Sequence, residues 1–202
     1  MNVAIIGAGN IGGTLARKLA GAGHHVSLGV RDVAKAADLA AQIGQGTDVK
    51  SPAQAVAEAD AVIFALPGGV MPDILGELSQ ALAGKVLIDA TNNLSPGQPL
   101  NSIALLTEKA PTASVYRAFN TLGWENFANP MFGGTQADLF YCGPAGDPQK
   151  VAEDIIQGVG LRPVYVGGVD QTAVVDGVAS LWFALVFGQK RPRRLAFRLL
   201  ED

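Results

Sequence analysis

The sequence predicts an α/β protein of the doubly wound class, a single domain in which helices cover both faces of a mostly parallel sheet. Apolar runs of strand length alternate with amphipathic stretches of helix length along most of the 202 residues. Such alternation is typical of parallel sheets, because a crossover helix must return the chain before each new strand. The composition agrees, since 49% hydrophobic and 16% charged residues describe a chain with a sizeable core.

Seven apolar runs are predicted to be strands. The run at residues 61–66 is apolar throughout, which is typical of a parallel strand that is buried on both faces. Pro67 and Gly68 then end it sharply. The predicted strands span residues 3–6, 26–30, 61–66, 86–90, 114–119, 139–143 and 163–167.

Helices are predicted between these strands from their periodicity and their end signals. Ser51 supplies an N-cap and Pro52 stands at the first helical position, a pattern that Asp147 and Pro148 repeat. Gly44 closes the alanine-rich helix that precedes Ser51. The predicted helices span residues 11–22, 33–43, 52–58, 70–83, 102–109, 148–159 and 170–187.

Two segments carry no such pattern. Residues 120–134 hold Trp124, Phe127 and Phe132 among polar residues and glycines, which predicts a long loop that lines the site. After the last helix comes a basic tail, for which we expect a solvated C-terminus, electrostatic steering of the acidic acceptor, or contact with an acidic partner chain or an anionic membrane surface. No repeat or linker divides the chain, so residues 1–202 are predicted to form one domain with a C-terminal helix and this tail. The tail cations are Lys190, Arg191, Arg193, Arg194 and Arg198.

Six consecutive residues between the first strand and the first helix form a glycine-rich turn. Glycine is needed where the backbone takes positive φ, where it approaches a pyrophosphate, and where the helix packs on the strand. The following helix presents free amides and the positive end of its dipole to an anion. We therefore expect a Rossmann-type dinucleotide site here, with a purely structural turn as the alternative. The turn residues are Gly7, Ala8, Gly9, Asn10, Ile11 and Gly12.

The end of the second predicted strand bears on the choice between NAD and NADP. NAD sites place an acidic residue there, whereas NADP sites replace it with a cation. Here the strand is followed by Arg31, with Lys35 one helical turn later, and the two could converge on one phosphate. The sequence therefore predicts NADP(H) as the cofactor. In the alternative, Arg31 pairs with Asp32 or Asp38 on a solvated face, and Asp32 leaves NAD possible.

Two further segments follow strands at the same edge of the sheet, where ligands bind in such folds. One holds Ala65, Leu66 and Pro67, and the other holds Asn92. Pro67 fixes the chain where the strand ends, and the glycines after it let the backbone pass close to ribose or pyrophosphate. Asn92 could donate a hydrogen bond to a nicotinamide ribose. These four residues are candidate cofactor-binding residues, with ordinary turns as the alternative.

No side chain is placed for general acid catalysis. His24 and His25 precede the second strand, at the opposite edge of the sheet, and the sequence shows neither a Ser-x-x-x-Tyr-x-x-x-Lys pattern nor a metal-ligand cluster. Reduction of a carbonyl usually requires a proton donor. We therefore predict no catalytic residue, no metal, and an acceptor whose own ring chemistry needs no protein acid, such as a flavin or deazaflavin.

Charge and apolar content bear on partners and location. The net charge of -3 argues against nucleic acid as the main partner. Cys142 is the single cysteine and can form no internal disulfide, which suits a reducing compartment. We read no export signal before the first strand. The longest apolar run, residues 178–187, is shorter than the ~20 residues of a membrane span. We expect a cytoplasmic protein without a membrane span. The same run is apolar nearly all round, which predicts a homodimer through the last helix, or else burial against the protein's own sheet.

Several segments, taken together, resemble a known family. They are the glycine turn, Gly29-Val30-Arg31, Asp89-Ala90-Thr91-Asn92, Ala118-Phe119-Asn120-Thr121 and residues 143–147. In these places the chain resembles the NADP-dependent oxidoreductases that use coenzyme F420, and it is similar to ferric-reductase domains that pass hydride from NADPH to flavin. The resemblance implies a Rossmann-type fold, direct hydride transfer between nicotinamide and a deazaflavin, and 2′-phosphate contacts at Arg31 and Lys35. Val30 replaces the small polar residue usual in that family, which implies one phosphate hydrogen bond fewer.

Two functions of different classes follow from the sequence. The first is a reductase that passes hydride between NADP(H) and coenzyme F420 or FMN. The second is a non-catalytic NADP(H) sensor that reports redox state through a partner, which the missing catalytic acid equally permits. Hydride transfer to F420 or FMN separates the two.

Overall fold

Six parallel strands form the central sheet of the computed structural model, which describes residues 1–44 and 46–202. In chain order they are β1 (Asn2–Ile6), β2 (His25–Gly29), β3 (Thr47–Lys50), β4 (Ala61–Phe64), β5 (Val86–Asp89) and β6 (Ser114–Arg117). Across the sheet their order is β3-β2-β1-β4-β5-β6, so the chain winds outward in both directions from the boundary between β1 and β4. The predicted fold class is confirmed.

Helices on both faces of this sheet enclose two apolar cores. Successive residues of β1 point to opposite sides, so Ile5 lies in one core while Ala4 and Ile6 lie in the other. This two-sided burial explains why the predicted strands read as unbroken apolar runs. The helices are α1 (Asn10–Gly21), α2 (Val33–Ile43), α3 (Pro52–Ala57), α4 (Met71–Leu78), α5 (Ile103–Lys109), α6 (Trp124–Ala128), α7 (Asp147–Val159) and α8 (Thr172–Phe183).

Strand β3 has no counterpart among the predicted strands. It lies at the edge of the sheet and pairs with β2 from Val26 opposite Thr47 to Gly29 opposite Lys50. Val49 is its one apolar residue, and all four residues are only partly buried. Main-chain pairing rather than an apolar pattern forms this strand, which is why the sequence does not reveal it.

A smaller parallel unit follows the central sheet. Strands β9 (Asp138–Tyr141) and β10 (Arg162–Tyr165) pair in parallel around α7. An antiparallel bridge between Arg117 and Cys142 connects β9 to the end of β6. The short hairpin of β7 (Met131–Phe132) and β8 (Thr135–Gln136) lies just before this unit. The smaller unit therefore lies beside the carboxyl end of β6.

Two expected elements are wrong in detail. The loop expected at residues 120–134 contains α6 and β7, and Phe127 on α6 is fully buried against Phe119, with ring centroids 5.6 Å apart. A helix of five residues is too short to display a helical period. The single helix expected over residues 70–83 is divided into α4 and two flanking 3₁₀ turns, Gly68–Val70 and Ser79–Leu82.

The last helix is longer than its apolar run suggests. A 3₁₀ turn, α8 and a π-helical turn follow one another, so the 20 residues from Val169 to Gly188 are long and apolar enough to cross a membrane, by length and composition. The length argument made from residues 178–187 is therefore wrong. A core helix of a soluble protein passes the same test; here α8 buries Val175, Ala179 and Trp182, and 22% of the apolar stretch is buried within the chain. One such helix is weak evidence for a membrane span.

The basic tail packs on the protein through its main chain and residues 195–197, while its five cations remain exposed. Trp182 Nε1 donates to Leu195 O at 2.8 Å, and Asp138 N donates to Phe197 O at 3.0 Å. Arg162 Nη2 donates to Leu199 O at 2.9 Å. Residues 193–199 of the tail therefore cross α8, β9 and β10, and we call this segment the strap.

Candidate active site

The glycine turn joins β1 to α1 at the carboxyl edge of the sheet. Gly7 has a φ of 109°, and its amide donates to Gly29 O at 3.0 Å. A Cβ at Gly7 would lie 2.5 Å from Ala65 O, and a Cβ at Gly12 would lie 2.0 Å from Gly7 O. The fold itself therefore requires glycine at both positions.

Gly9 is different, because the fold does not need glycine there. Its φ is -74°, and a Cβ would meet nothing within 4 Å. Gly9 occupies the N-cap position of α1, where no side chain binds the free amides and no acidic residue stands in the first turn. These amides and the positive end of the helix dipole therefore face open space, which fits a pyrophosphate that approaches the backbone closely.

A cavity of about 170 Å³ lies on one side of the turn, between the ends of β1 and β2 and helix α4. Val70 and Ile74 give it apolar walls, and Arg31 lies at its border. Asp73 and Glu77 add two carboxylates from α4. Apolar walls suit a flat ring and carboxylates accept hydrogen bonds from an exocyclic amine, so this cavity fits an adenine.

The two cations predicted to bind the 2′-phosphate are placed differently. Lys35 Nζ lies 3.0 Å from Asp32 Oδ2, and Asp32 also caps α2 by accepting from Lys35 N at 3.2 Å. Arg31 is exposed and makes no salt bridge within residues 1–44 and 46–202, so it pairs with neither Asp32 nor Asp38. Both cations border one shallow concavity beside Ala8, where Arg31 is available to an anionic ligand.

A second cavity, of about 420 Å³, lies on the other side of the turn, where the ends of β4 and β5 meet α1. It brings together seven of the residues predicted to bind the cofactor: Gly9, Asn10, Ile11, Ala65, Leu66, Pro67 and Asn92. Trp124, from the segment expected to line the site, and Arg193, from the tail, also line it, although the sequence named neither as a cofactor-binding residue. Trp124 stood in the expected loop and Arg193 in the basic tail, so both segments had been noticed without their position being known.

Asn92 is held in place by a buried arginine. Arg117 is fully buried, and its Nη2 donates to Asn92 Oδ1 at 3.0 Å. Asn92 Nδ2 donates to Asn120 O at 3.2 Å. The buried carboxylate of Asp89 fixes the same loop, because its Oδ1 accepts from Thr91 N at 3.0 Å. The amide of Asn92 therefore has a fixed orientation at the border of the cavity.

The segment after β6 is strained and incompletely hydrogen-bonded. Phe119 is fully buried with a φ of 61°, a conformation that costs energy for a residue with a side chain. Asn120 Oδ1 and Thr121 Oγ1 are buried without a hydrogen-bond partner. Strain and unsatisfied polar atoms concentrate at functional sites, and here they adjoin the residue that holds Asn92.

The candidate general acids lie away from both cavities. Burial lowers the pKa of His24, although Asp154 at 3.8 Å opposes that shift. His25 begins β2 at the amino edge of the sheet and lies 3.1 Å from Asp48. Tyr116 donates to Pro144 O at 2.7 Å, and burial raises its pKa well above the ordinary value. None of the three lines the cleft at the carboxyl edge.

Three of the tail arginines, Arg193, Arg194 and Arg198, contact other parts of the protein. Arg193 forms an ion pair with Glu125 and lies over the Trp182 ring at 5.5 Å. Arg194 lies over the Phe132 ring at 4.5 Å and donates to the main chain of the β7–β8 hairpin. Arg198 Nη1 donates to Gln136 O at 3.0 Å. These contacts attach the strap to the rest of the protein. Arg193 also lines the second cavity.

A glycine turn between two such cavities, at the point where a doubly wound sheet reverses, defines a dinucleotide-binding protein of Rossmann type. Residues 2–93, which contain the turn, Arg31 and Asn92, match the model of the family described as NADP oxidoreductase coenzyme F420-dependent. The resemblance seen in the sequence is thereby confirmed over these residues.

Relatives extend the similarity beyond the matched residues. The chain is 28% identical over 204 residues to the F420-dependent NADP reductase of Methanothermobacter marburgensis, covering 90% of each chain. It is 26% identical over 180 residues to metalloreductase STEAP3 of Rattus norvegicus, covering 87% of this chain but only 36% of the relative.

Solved structures share the fold over most or all of the chain. A putative F420-dependent NADP reductase from Arthrobacter sp. FB24 superposes with a TM-score of 0.85 over 100% of both chains, at 21% identity. The hypothetical protein SMa0349 from Sinorhizobium meliloti is 28% identical with a TM-score of 0.73, covering 84% of this chain and 86% of its own. The strap and the smaller β9–β10 unit thus lie within the superposed region of the Arthrobacter structure.

Proposed function

We propose that the protein is an NADP(H)-dependent oxidoreductase that exchanges hydride with the deazaflavin coenzyme F420. The observation that carries the proposal is the row of cavities along the carboxyl edge of the sheet. Arg31 lies at one end, Gly9 with open space at its Cβ position lies in the middle, and Asn92 lies at the other end. A dinucleotide bound at this point of a doubly wound sheet lies across the strands with its pyrophosphate at the glycine turn. The family match supports the same assignment.

In this proposal each part of NADP(H) has its own residues. Arg31 binds the 2′-phosphate, with Lys35 as a second cation nearby, and the cavity beside α4 holds the adenine. The pyrophosphate binds at the free amides of the glycine turn. The nicotinamide end lies toward Asn92 and toward the end of β4. The residues there are Ala65, Leu66 and Pro67.

Hydride exchange is chemistry that nicotinamide and a deazaflavin or flavin supply between themselves. The residues of this chain bind the two partners, hold their rings in contact and exclude water from the space between them. Trp124 gives the second cavity an apolar wall, and Arg193 brings a cation to its rim. Coenzyme F420 and FMN both carry a phosphate, so either suits this rim, and FMN is the alternative acceptor.

Anaerobic stopped-flow mixing of the NADPH-loaded protein with F420, and separately with FMN, tests the proposal. We expect the nicotinamide absorbance to fall as F420 is reduced. Replacement of His24, His25 or Tyr116 should cost less than about tenfold in rate, ~1.4 kcal/mol of barrier. An unchanged absorbance with both acceptors, with NADPH bound, would instead support the NADP(H) sensor. A loss of several orders of magnitude at one of these side chains would show that an acid or base is required.

We also propose a homodimer that forms through α8. Val174 and Leu181 on this helix are each 51% exposed, and Phe187 just after it is 58% exposed. Val174 and Leu181 lie seven residues apart on one face of α8, and exposed large apolar side chains favour association because pairing removes them from water. Sedimentation at micromolar concentration should give twice the chain mass, and Leu181→Glu should give the monomer. A monomeric parent protein would remove the dimer. A cytoplasmic location is proposed from the lone, buried Cys142, which suits a reducing compartment.

A further inference from the structure

We infer that Arg117 and Asp176 are positioning residues that fix Asn92 at the nicotinamide end of the cleft and couple it to α8. The inference rests on the proposed function, because it requires NADP(H) to lie in the cleft. The family match ends at residue 93 and includes neither residue.

Arg117 is a junction between separate segments of the chain. Its Nη1 donates to Asp89 O at 3.1 Å and to Thr91 O at 2.5 Å, while Nη2 donates to Asn92 Oδ1 at 3.0 Å. Its Nε donates to Asp176 Oδ1 at 2.9 Å. The planar guanidinium therefore binds the loop after β5 on one side and helix α8 on the other.

A fully buried guanidinium is an unusual way to fill a core. Burying a charge is costly, and a well-packed apolar side chain of similar volume often stabilises a protein as well or better. Here two carboxylates compensate the charge of Arg117. Asp176 Oδ1 lies 2.9 Å from Nε, and Asp89 Oδ2 lies 3.3 Å from Nη1. The arrangement therefore favours fixed geometry over stability, and what it fixes is the loop that carries Asn92.

The consequence for Asn92 follows from the hydrogen bonds of its amide. Oδ1 accepts from Arg117, and one of the two Nδ2 hydrogens is used by Asn120 O at 3.2 Å. One N–H donor remains, and the contact with Arg117 prevents the amide from turning over. A donor of fixed direction is what a binding group needs when it must orient a ribose or carboxamide without loss of side-chain entropy.

Asp176 connects this arrangement to the closing helix. Its Oδ1 also accepts from Asn120 Nδ2 at 3.1 Å, and its Oδ2 accepts from Asn101 Nδ2 at 2.7 Å. The carboxylate is thus the acceptor on which Arg117, Asn120 and Asn101 converge. A shift of α8 relative to the sheet would be passed through Arg117 to Asn92.

Asp176→Asn tests the inference, because it keeps the shape and removes both the charge and one acceptor oxygen. Two ligands separate the halves of the cleft: NADPH fills both, and 2′,5′-ADP fills only the adenosine half. We expect the variant to bind NADPH about tenfold more weakly, the size expected for one charge-assisted hydrogen bond. Its affinity for 2′,5′-ADP should change less than about twofold, while the fluorescence of the bound reduced nicotinamide shifts toward that of free NADPH.

Ser180→Ala is the matched control. Ser180 lies one turn further along α8 and donates only to the main chain, at Asp176 O, 2.9 Å away. It should change neither ligand's affinity. Equal losses for NADPH and 2′,5′-ADP in Asp176→Asn, or no loss for either, would overturn the positioning role. If the parent protein does not bind NADPH, or binds it without reducing F420 or FMN, the proposed function fails instead.

A measurement on the parent protein avoids dependence on a folded variant. The buried Arg117 Nε–H gives its own nitrogen resonance in an isotope-labelled sample. We expect that resonance to move when NADP⁺ is added and to stay in place when 2′,5′-ADP is added. A resonance that responds equally to both ligands, or to neither, would contradict the coupling of Arg117 to the nicotinamide end.

Discussion

Lys35 Nζ lies 3.0 Å from Asp32 Oδ2, so the cation expected to share the 2′-phosphate with Arg31 is already paired with its neighbour. The same carboxylate caps α2 by accepting from Lys35 N. Asp32 is therefore occupied by the helix and its lysine, and it is less available to a ribose hydroxyl of NAD. In the proposed function, Arg31 is therefore the cation expected to distinguish NADP(H) from NAD(H).

Arg31→Ala is expected to weaken NADPH binding by roughly tenfold to a hundredfold, because a charge-assisted bond to phosphate contributes ~1.5 to 3 kcal/mol. NADH binding should stay nearly unchanged. Lys35→Ala is the control, and its effect should be below about fivefold, since an exposed ion pair contributes less than ~1 kcal/mol. Titration calorimetry with both cofactors measures this. Equal losses of NADPH and NADH in Arg31→Ala would show that the arginine is only structural.

Gly9→Ala is expected to separate binding from folding. The new methyl meets no protein atom within 4 Å, and a φ of -74° suits alanine, so thermal stability should change little. The methyl occupies the space through which the pyrophosphate approaches the amides of α1, so NADPH binding should weaken by more than about tenfold.

Gly76→Ala is the matched control for that variant, since Gly76 lies within α4 and also has open space at its Cβ position. It should raise stability by roughly 0.5–1 kcal/mol, through helix propensity, and leave NADPH binding unchanged. An unchanged NADPH affinity in Gly9→Ala would place the pyrophosphate elsewhere.

The attachment of the strap is expected to depend on pH through Asp138. Burial raises the pKa of Asp138, but hydrogen bonds from Arg162 and from Leu199 N outweigh it and hold the pKa below its ordinary value. The stability from this carboxylate is therefore present above the ordinary pKa of ~3.9 and is lost as pH falls through the lower folded pKa. Asp138→Asn should remove that acid-dependent part in chemical denaturation series, leaving a flatter profile below about pH 4. An identical pH profile in the variant would contradict this assignment.

Arg194→Ala is expected to loosen the strap without touching the cofactor. It removes a guanidinium 4.5 Å from the Phe132 ring centroid and a hydrogen bond to Met131 O. Together these contacts should contribute about 1–2 kcal/mol, visible as a lower Tm. Lys190→Ala serves as the control, since Lys190 is exposed before the strap begins. If the salt dependence of F420 affinity disappears in Arg194→Ala while its Tm is unchanged, the arginine acts by steering instead.

The sequence predicted the parts of the fold and the site that repeat a strong local pattern. Buried strands show as apolar runs, and the glycine turn shows because Gly7 and Gly12 have no room for a Cβ. Strand β3 was missed because edge pairing needs no apolar side chains, and α6 because five residues carry no period. The helix predicted over residues 70–83 ends at Leu78 and continues as a 3₁₀ turn, and helix propensity does not distinguish these two conformations.

The rest of the site depends on contacts between distant parts of the chain. Arg193 reaches the second cavity only because the strap returns across α8, where Trp182 and Glu125 hold it. Arg117 appeared in the sequence as the last residue of a strand, with no sign that its side chain would bind Asn92 and Asp176. Such partners lie 25 and 59 positions away, beyond any local pattern.

Direct hydride transfer is tested most directly with NADPH in which deuterium replaces both hydrogens on C4 of the nicotinamide. After a single anaerobic turnover with F420, mass spectrometry of the reduced coenzyme should show one deuterium per molecule, with none released into the solvent. Reduced F420 without the label, or an unreduced coenzyme beside bound NADPH, would contradict the account.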